Sequence, residues 1–226
     1  FNKDLKAWEK YALKAQSRNI RKNDFYISTL SLIEKYGHLA IANTVCDKSE
    51  LLEIGVGGGQ HIHFEEEKVN LKNYTVTDIN QHFLEVVKQR YPQIKTIHTI
   101  NNKLPFLEST FTCCIANCVF EHVNDLSELL GEIRRVLRPQ AKLLVVIPTN
   151  GGLSLTLFKW LVSYPSLYLA GIKKPSMIWN YENVNQFQRV NALLHKNFKV
   201  CRAQSVPFSF LPWFLSPLYF FECENR

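Results

Sequence analysis

The chain has a single methionine and only nine glycines in 226 residues, and its six cysteines lack the spacing of a metal or redox motif. No C-x-x-C pair occurs and no histidines stand at zinc-ligand spacing, which excludes the common structural zinc modules. We therefore predict no metal site and expect reduced core thiols, as is usual in a cytoplasmic protein. The cysteines are Cys46, Cys113, Cys114, Cys118, Cys201 and Cys223.

A continuous basic block with interleaved aromatic residues is also absent, although the net charge is +7. The basic residues are spread out, so they favour solvated helix faces over a nucleic-acid surface. The small clusters are Arg18, Arg21 and Lys22, then Arg134, Arg135 and Arg138, then Lys173 and Lys174.

No apolar run is long and uninterrupted enough for a membrane span. Residues 153–172 approach that length, but Lys159, several serines and Pro165 interrupt them. The first residues, FNKDLKAWEK, do not have the pattern of a signal peptide. We therefore expect a cytoplasmic protein.

Four of the nine glycines are concentrated in the segment LLEIGVGGGQHI, residues 51–62. A buried strand that runs into glycines can turn with positive φ and approach a ligand closely. The dinucleotide motif G-x-G-x-x-G fails here, because its third glycine would fall at Gln60 or Ile62. A P-loop also fails, since no Gly-Lys-Ser/Thr follows.

Strand and helix patterns alternate after this segment, which predicts βαβ units and an α/β fold with a doubly wound, mostly parallel sheet. The residues Glu53, Asp78 and Asn117 end predicted strands, where ligands bind in such sheets. The predicted strands are LLEIG, YTVTDI, KTIHTI, FTCCIAN, AKLLVVIP, FKVCRAQSV and LYFFECEN. Helices are predicted at 4–17, 24–42 (with Asp24 as N-cap), 62–69, 81–91, 126–137 and 183–194.

The segment E-x-G-x-G-x-G, from Glu53 to Gly59, resembles the first motif of class I S-adenosylmethionine-dependent methyltransferases. The later segment KLPFLESTFTCCIANCVFEHVNDLSELLGEIRRVLRPQAKLLVVIP is similar to their small-molecule subfamily, with its L-P-F and E-H-V elements. The resemblance implies S-adenosylmethionine as cofactor. It also implies a Rossmann-like sheet of seven strands with an antiparallel last strand, N-terminal helices and a helical insertion after the fifth strand.

The same resemblance assigns cofactor contacts. Glu53 would lie near the cofactor ammonium group, and Gly55, Gly57 and Gly59 would pass under its methionine and ribose. Asp78 follows Glu53 by 25 residues and would bind the ribose hydroxyls, although it also fits an N-cap. Ile79 would lie against adenine and Asn117 would face the methionine and the transferring methyl.

Two positions depart from the family pattern. The acid that usually precedes L-P-F is missing, so Asn101 or Asn102 is expected to accept the bond from the adenine amino group. The proline turn reads Pro139-Gln140-Ala141 in place of Pro-Gly-Gly, which concerns folding more than function.

No dedicated nucleophile is evident, and methyl transfer mainly requires alignment and desolvation. His122, next to Glu121, is a candidate general base, but packing at a helix start is the favoured interpretation. Tyr181 is a second catalytic candidate.

We predict a single domain with four regions: an N-terminal helical cap (1–45), a cofactor-binding core (46–148), a helical lid (149–197) and two last strands (198–226). The aromatic lid favours a small-molecule acceptor that is apolar or lipid-linked, or contact with a membrane surface. Tyr11, Tyr181 and His195 are the predicted acceptor contacts. An RNA methyltransferase and a non-catalytic methyltransferase-like partner protein are the alternatives, and the oligomeric state is left open.

Overall fold

A computed structural model describes Asp4, residues 6–7, residues 29–45 and residues 50–226. Several predictions fall outside these residues: most of the first helix, the N-cap at Asp24, the acceptor contact Tyr11 and the thiol of Cys46. The account below concerns the described residues alone.

Seven strands form one sheet in the order β3-β2-β1-β4-β5-β7-β6. The first five are parallel to one another, and β7 lies antiparallel between β5 and β6. The sequence predictions of a doubly wound, mostly parallel sheet of seven strands and of an antiparallel last strand are confirmed. The strands are β1 (Leu51–Ile54), β2 (Tyr74–Asp78), β3 (Lys95–His98), β4 (Phe111–Asn117), β5 (Leu137–Pro148), β6 (Lys199–Val206) and β7 (Leu218–Glu224).

Helices connect and cover these strands. Those of the described residues are α1 (Thr29–Ala42), α2 (Ile62–Glu65), α3 (Gln81–Arg90), α4 (Leu126–Val136), α5 (Leu153–Phe158), α6 (Tyr164–Leu169), α7 (Pro175–Glu182) and α8 (Phe187–Asn197). A π-helix (Lys159–Ser163) joins α5 to α6, and 3-10 turns cover Leu71–Asn73, Phe120–His122 and Trp213–Leu215. None of these helices has both the length and the apolar character needed to cross a membrane, as far as the structure describes the chain.

The central strands are buried on both faces, which explains their nearly continuous apolar sequences. In β5, Leu143 and Val145 join the core that contains α4 and α8, while Leu144 and Val146 join the core on the opposite face. Because successive side chains of a strand point to opposite faces of the sheet, β5 contributes residues to both cores. The carboxyl ends of the parallel strands are held rigidly as a result.

Polar side chains determine where two of the helices begin. The Asn80 side chain accepts from His82 N at 3.0 Å before α3, and Asp125 accepts from Glu128 N at 3.0 Å before α4. Each bond satisfies a backbone donor that the first helical turn leaves without a partner.

Several predictions from sequence were wrong in detail. The helix predicted at 62–69 ends at Glu65, because three consecutive acids, Glu65 to Glu67, meet the negative end of its dipole. The helix predicted at 183–194 begins at Phe187, because the Asn185 side chain donates to the carbonyls of Phe120 and Val123. Cys201 is exposed, unlike the core thiols Cys113, Cys114 and Cys223, because β6 bulges between Val200 and Arg202.

Candidate active site

The glycine loop lies directly after β1. Gly55, Gly57 and Gly59 have φ of +66°, +52° and +76°, a region that side chains with a Cβ rarely adopt. Gly55 N donates to Thr77 O at 2.8 Å, which joins the start of the loop to β2. A Cβ at Gly55 would lie 2.6 Å from Val119 Cγ2, whereas one at Gly57 would meet only Gln60 Oε1, at 3.8 Å. The backbone at Gly57 therefore borders open space that a ligand can occupy.

Asp78 lies at the end of β2, next to the glycine loop. Its Oδ2 accepts from Gly57 N at 2.9 Å and its Oδ1 accepts from Asn80 N at 2.8 Å. Burial raises the Asp78 pKa, and the backbone donors oppose that shift. Because Asn80 caps α3, Asp78 is not the N-cap, and its remaining lone pairs can accept hydroxyl groups.

Glu53 is a buried carboxyl group in β1, with 2% of its surface exposed. Its Oε2 accepts from Tyr74 Oη at 2.8 Å. Burial raises the Glu53 pKa to about 7, opposed by the nearby His61 and by the Tyr74 hydrogen bond. The group can therefore exchange a proton near neutral pH.

A cavity of about 330 Å³ opens between the glycine loop and α1. It brings together four residues that sequence predicted for the cofactor: Glu53, Gly55, Gly57 and Asn117. The other lining residues are Glu34, His38, Val56, Gln60, His61, Cys118 and Leu218. The carboxyl ends of β1 and β4, the glycine loop and α1 thus enclose one cavity.

Asn117 begins a line of polar side chains that follows the cavity wall through His38 and His61 and ends at the buried Glu65. Its Nδ2 lies 3.0 Å from His38 Nδ1, and His38 Nδ1 lies 3.2 Å from His61 Nδ1. His61 Nε2 lies 3.3 Å from Glu65 Oε1, within ion-pair distance but without the geometry of a hydrogen bond. Burial, with the nearby His61, lowers the His38 pKa to about 3, so that this ring is neutral at pH 7.

The end of the site where adenine is expected is more open. Ile79 is 76% exposed, and its carbonyl lies 3.0 Å from His98 Nε2. Asn102 Nδ2 donates to Asp125 O at 3.2 Å and to Glu128 Oε2 at 2.9 Å, so this nitrogen connects the loop to α4. Asn101 is exposed beside it.

A charged pair on α4 holds the L-P-F segment in place. Arg135 Nε donates to Glu132 Oε1 at 2.8 Å, and its two terminal nitrogens donate to Phe106 O at 2.8 Å and Leu104 O at 2.9 Å. Leu104 N in turn donates to Glu132 Oε2 at 2.9 Å. These two side chains of α4 therefore hold in place the backbone segment that leads from Asn102 into β4.

The other predicted residues lie apart from the cavity lining. His122 Nδ1 lies 2.7 Å from Glu182 O at the end of α7, and Oε1 of the buried Glu121 lies 3.7 Å from His122 Nε2. Tyr181 is exposed on α7. His195 lies in the last turn of α8, before the edge strand β6, whereas the glycine loop follows β1 in the middle of the sheet. Its carbonyl accepts from Arg226 at 3.4 Å.

Sequence reasoning missed the residues that α1 and α2 bring to the cavity. Glu34 and His38 are four residues apart on α1 and therefore share one helix face. Two ionisable residues at this spacing in the largely apolar stretch TLSLIEKYGHLAIA were the available signal. His61 lies two residues after the last glycine of the loop and gave no signal of its own, since a histidine at a helix start is common.

Comparisons with known proteins agree with this geometry. Residues 52–145 match the model of a family described as "Methyltransferase domain". A demethylmenaquinone methyltransferase of Chlorobaculum tepidum is 23% identical over 201 residues, which cover 83% of each chain.

Solved structures share the fold. A SAM-dependent methyltransferase of Thermotoga maritima, titled a possible histamine N-methyltransferase, has a TM-score of 0.62 at 16% identity, covering 86% of this chain and 92% of that one. One from Aquifex aeolicus has a TM-score of 0.59 at 15% identity, covering 92% and 98%. Residues 52–145 thus match a methyltransferase domain, and the sheet has the fold and strand order of class I S-adenosylmethionine-dependent methyltransferases.

Proposed function

We propose that the chain transfers a methyl group from S-adenosylmethionine to a small, apolar acceptor. The observation that carries this proposal is the cavity between the glycine loop and α1, which has Asn117 at the carboxyl end of β4 in its wall. A cavity at the switch point of a doubly wound sheet is where this architecture binds ligands.

The residues present fit the cofactor. Asp78 would accept hydrogen bonds from the ribose hydroxyls, since both its oxygens keep lone pairs after binding Gly57 N and Asn80 N. The backbone at Gly57 would pass under the ligand. Among the described residues, a Cβ placed there would contact only Gln60 Oε1, at 3.8 Å, which leaves room for the ligand. Glu53 and Asn117 would lie at the methionine end, Ile79 against adenine, and Asn101 or Asn102 beside its amino group.

When bound, the cofactor supplies an activated methyl group, and the chain supplies alignment and a site that excludes water. The buried walls formed by Val56 and Leu218 and the neutral His38 limit the water beside that methyl. No covalent step by the protein is needed.

Exposed apolar side chains support an apolar acceptor. They occur on the helical region after β5 and on the loop between β6 and β7, which contact each other where Ser154 Oγ donates to Ser216 O at 2.8 Å. They include Leu153, Leu157, Trp160, Leu161, Leu169, Phe208, Phe210 and Phe214. We propose that this surface admits the acceptor and also rests on a membrane surface, where Trp and Phe side chains insert readily. The demethylmenaquinone named for the relative is an acceptor to test first.

The test is methyl transfer from radiolabelled S-adenosylmethionine to reduced demethylmenaquinone, smaller hydroquinones and phenols, with and without lipid vesicles. We expect label in an extractable small molecule, at a higher rate with vesicles. Label in added RNA, with salt-dependent binding, would point to an RNA substrate. Cofactor binding without transfer, together with a stoichiometric co-purifying subunit, would indicate a partner protein.

A further inference from the structure

We propose that His38, His61 and Glu65 form a proton relay that removes the proton of a phenol-type acceptor. The relay begins at the cavity, where His38 lies against Asn117, and ends at Glu65 in the core. This inference rests on the proposed function and assigns to the cavity the chemical class of its acceptor, an aromatic hydroxyl compound.

The position of Glu65 is the first reason for this inference. Glu65 is fully buried, and within the described part of the chain neither of its carboxylate oxygens has a hydrogen-bond partner. Burying a carboxyl group without a hydrogen-bond partner lowers the stability of the fold, so its presence calls for an explanation. A role in proton transfer supplies one. His61, itself 2% exposed, is the adjacent group, and a small side-chain rotation would turn the 3.3 Å contact into a hydrogen bond.

Two proton states of the relay follow from the chemistry of its members. In the first, ionised Glu65 accepts from His61 Nε2–H, His61 Nδ1 accepts from His38 Nδ1–H, and His38 Nε2 keeps its lone pair. In the second, Glu65 carries a proton and donates it to His61 Nε2, His61 Nδ1–H donates to His38 Nδ1, and His38 Nε2 carries hydrogen. The second state holds one proton more than the first.

Passing from the first state to the second removes a proton from the acceptor. The acceptor O–H proton moves to His38 Nε2, the Nδ1 proton of His38 moves to His61, and the Nε2 proton of His61 moves to Glu65. The electron pair of the O–H bond stays on the acceptor oxygen, which becomes the nucleophile or passes the charge to its ring. No imidazolium persists, so the low His38 pKa does not oppose the transfer.

Asn117 joins the relay to the cavity wall. Its side-chain nitrogen lies 3.0 Å from His38 Nδ1. The amide can donate to that ring nitrogen whenever the nitrogen carries no hydrogen, as in the second state.

Other ionisable groups surround the relay and share its electrostatics. Glu34 lines the same cavity from α1, Glu53 from β1, and Glu53 is bonded to Tyr74 of β2. Burial raises the pKa of both Glu53 and Tyr74, and the nearby Glu65 adds to each rise.

The experiment uses the absorbance of 4-nitrophenol, whose anion absorbs in the visible range, bound to the full chain with S-adenosylhomocysteine. In the wild type we expect the bound probe to ionise about one pH unit below its midpoint in solution, a tenfold change in the ratio of anion to phenol. Glu65→Gln and His38→Gln should abolish this shift. Glu66→Gln, at a partly exposed neighbouring position paired with His63, is the matched control and should behave as the wild type.

A second measurement separates the relay from a structural effect. With phenols as acceptors, Glu65→Gln should lower kcat about 100-fold for weakly acidic phenols and much less for strongly acidic ones. If His38→Gln does not fold, Glu65→Gln carries the test, because Gln has the same shape as the acid. Affinity for S-adenosylhomocysteine should be unchanged in Glu65→Gln, because Glu65 does not line the cavity.

The outcomes are distinguishable. If the wild type does not bind S-adenosylhomocysteine, the proposed function fails. If it binds the cofactor product but not 4-nitrophenol, or binds the probe with the same ionisation as Glu65→Gln, the relay is overturned while the proposed function stands.

Discussion

Gly57 donates its backbone N–H to Asp78 Oδ2 at 2.9 Å, a bond that joins the glycine loop after β1 to the end of β2. One carboxylate thus organises a loop that precedes it by about twenty residues. Its second oxygen takes the N–H of Asn80, so both strand ends are fixed before any ligand binds. The cofactor site is therefore preorganised by backbone donors, which costs little entropy on binding.

Asp78→Ala should weaken binding of S-adenosylhomocysteine by about 1 to 3 kcal/mol, because it removes charged hydrogen bonds to ribose and releases the loop. Isothermal titration calorimetry measures the change. Asp125→Ala is the matched control, since it deletes the N-cap of α4, which contributes about 1 kcal/mol to stability, but no predicted cofactor contact. Equal affinities of wild type and Asp78→Ala would refute the ribose role.

Gly55→Ala should destabilise the protein by more than about 1 kcal/mol, because φ is +66° and the added Cβ would lie 2.6 Å from Val119 Cγ2. Gly131→Ala is the matched control, because Gly131 lies inside α4 with nothing within 4 Å of the added Cβ. We expect that variant to gain about 0.5 to 1 kcal/mol. Chemical denaturation gives both values, and the account fails if the two substitutions have the same effect.

Glu121→Gln should change the pH dependence of stability. Burial raises the Glu121 pKa from 4.5 to about 7, so the folded protein keeps a proton that the unfolded chain has released. The stability from this group is complete below pH 4.5 and is lost as the pH rises to about 7. The unfolding free energy of Glu121→Gln, minus that of the wild type, should therefore rise by about 3 kcal/mol across this window. A difference that stays constant with pH would contradict the assignment.

Arg135→Lys should lower the unfolding free energy by about 1 to 2 kcal/mol, because lysine cannot reproduce the fork that holds Glu132 and two backbone carbonyls. Since the side chains are partly exposed, the ionic part is screened. Arg134→Lys, at the exposed neighbouring position, should be neutral within about 0.5 kcal/mol. Equal stability of the two variants would show that the fork contributes nothing.

Local patterns predicted the sheet well. The strands are short apolar runs bounded by turn residues, and β5, for example, is buried on both faces as its sequence requires. Its start was predicted four residues late, because the segment from Leu137 to Gln140 has little apolar content, although Leu137 pairs with Phe111 of β4. The residues at strand ends, such as Asp78 and Asn117, were predictable because parallel strands bring their carboxyl ends together.

Contacts between distant segments could not be predicted from local pattern. His38 of α1 meets Asn117 of β4 across 79 positions in the chain, and no periodicity reports which helix covers that strand end. Asn102 was expected to face adenine through an amide, but the bond of its nitrogen to Glu128 depends on how α4 packs. Its role toward the cofactor stays a prediction.

The central claim, that the loop from Gly55 to Gly59 and Asp78 form a methyl-donor site, is tested most directly by calorimetric titration of the purified chain with S-adenosylmethionine and S-adenosylhomocysteine. The account predicts saturable binding of both at one site per chain, with NAD and ATP binding far more weakly. No detectable affinity for either sulfur compound would contradict it.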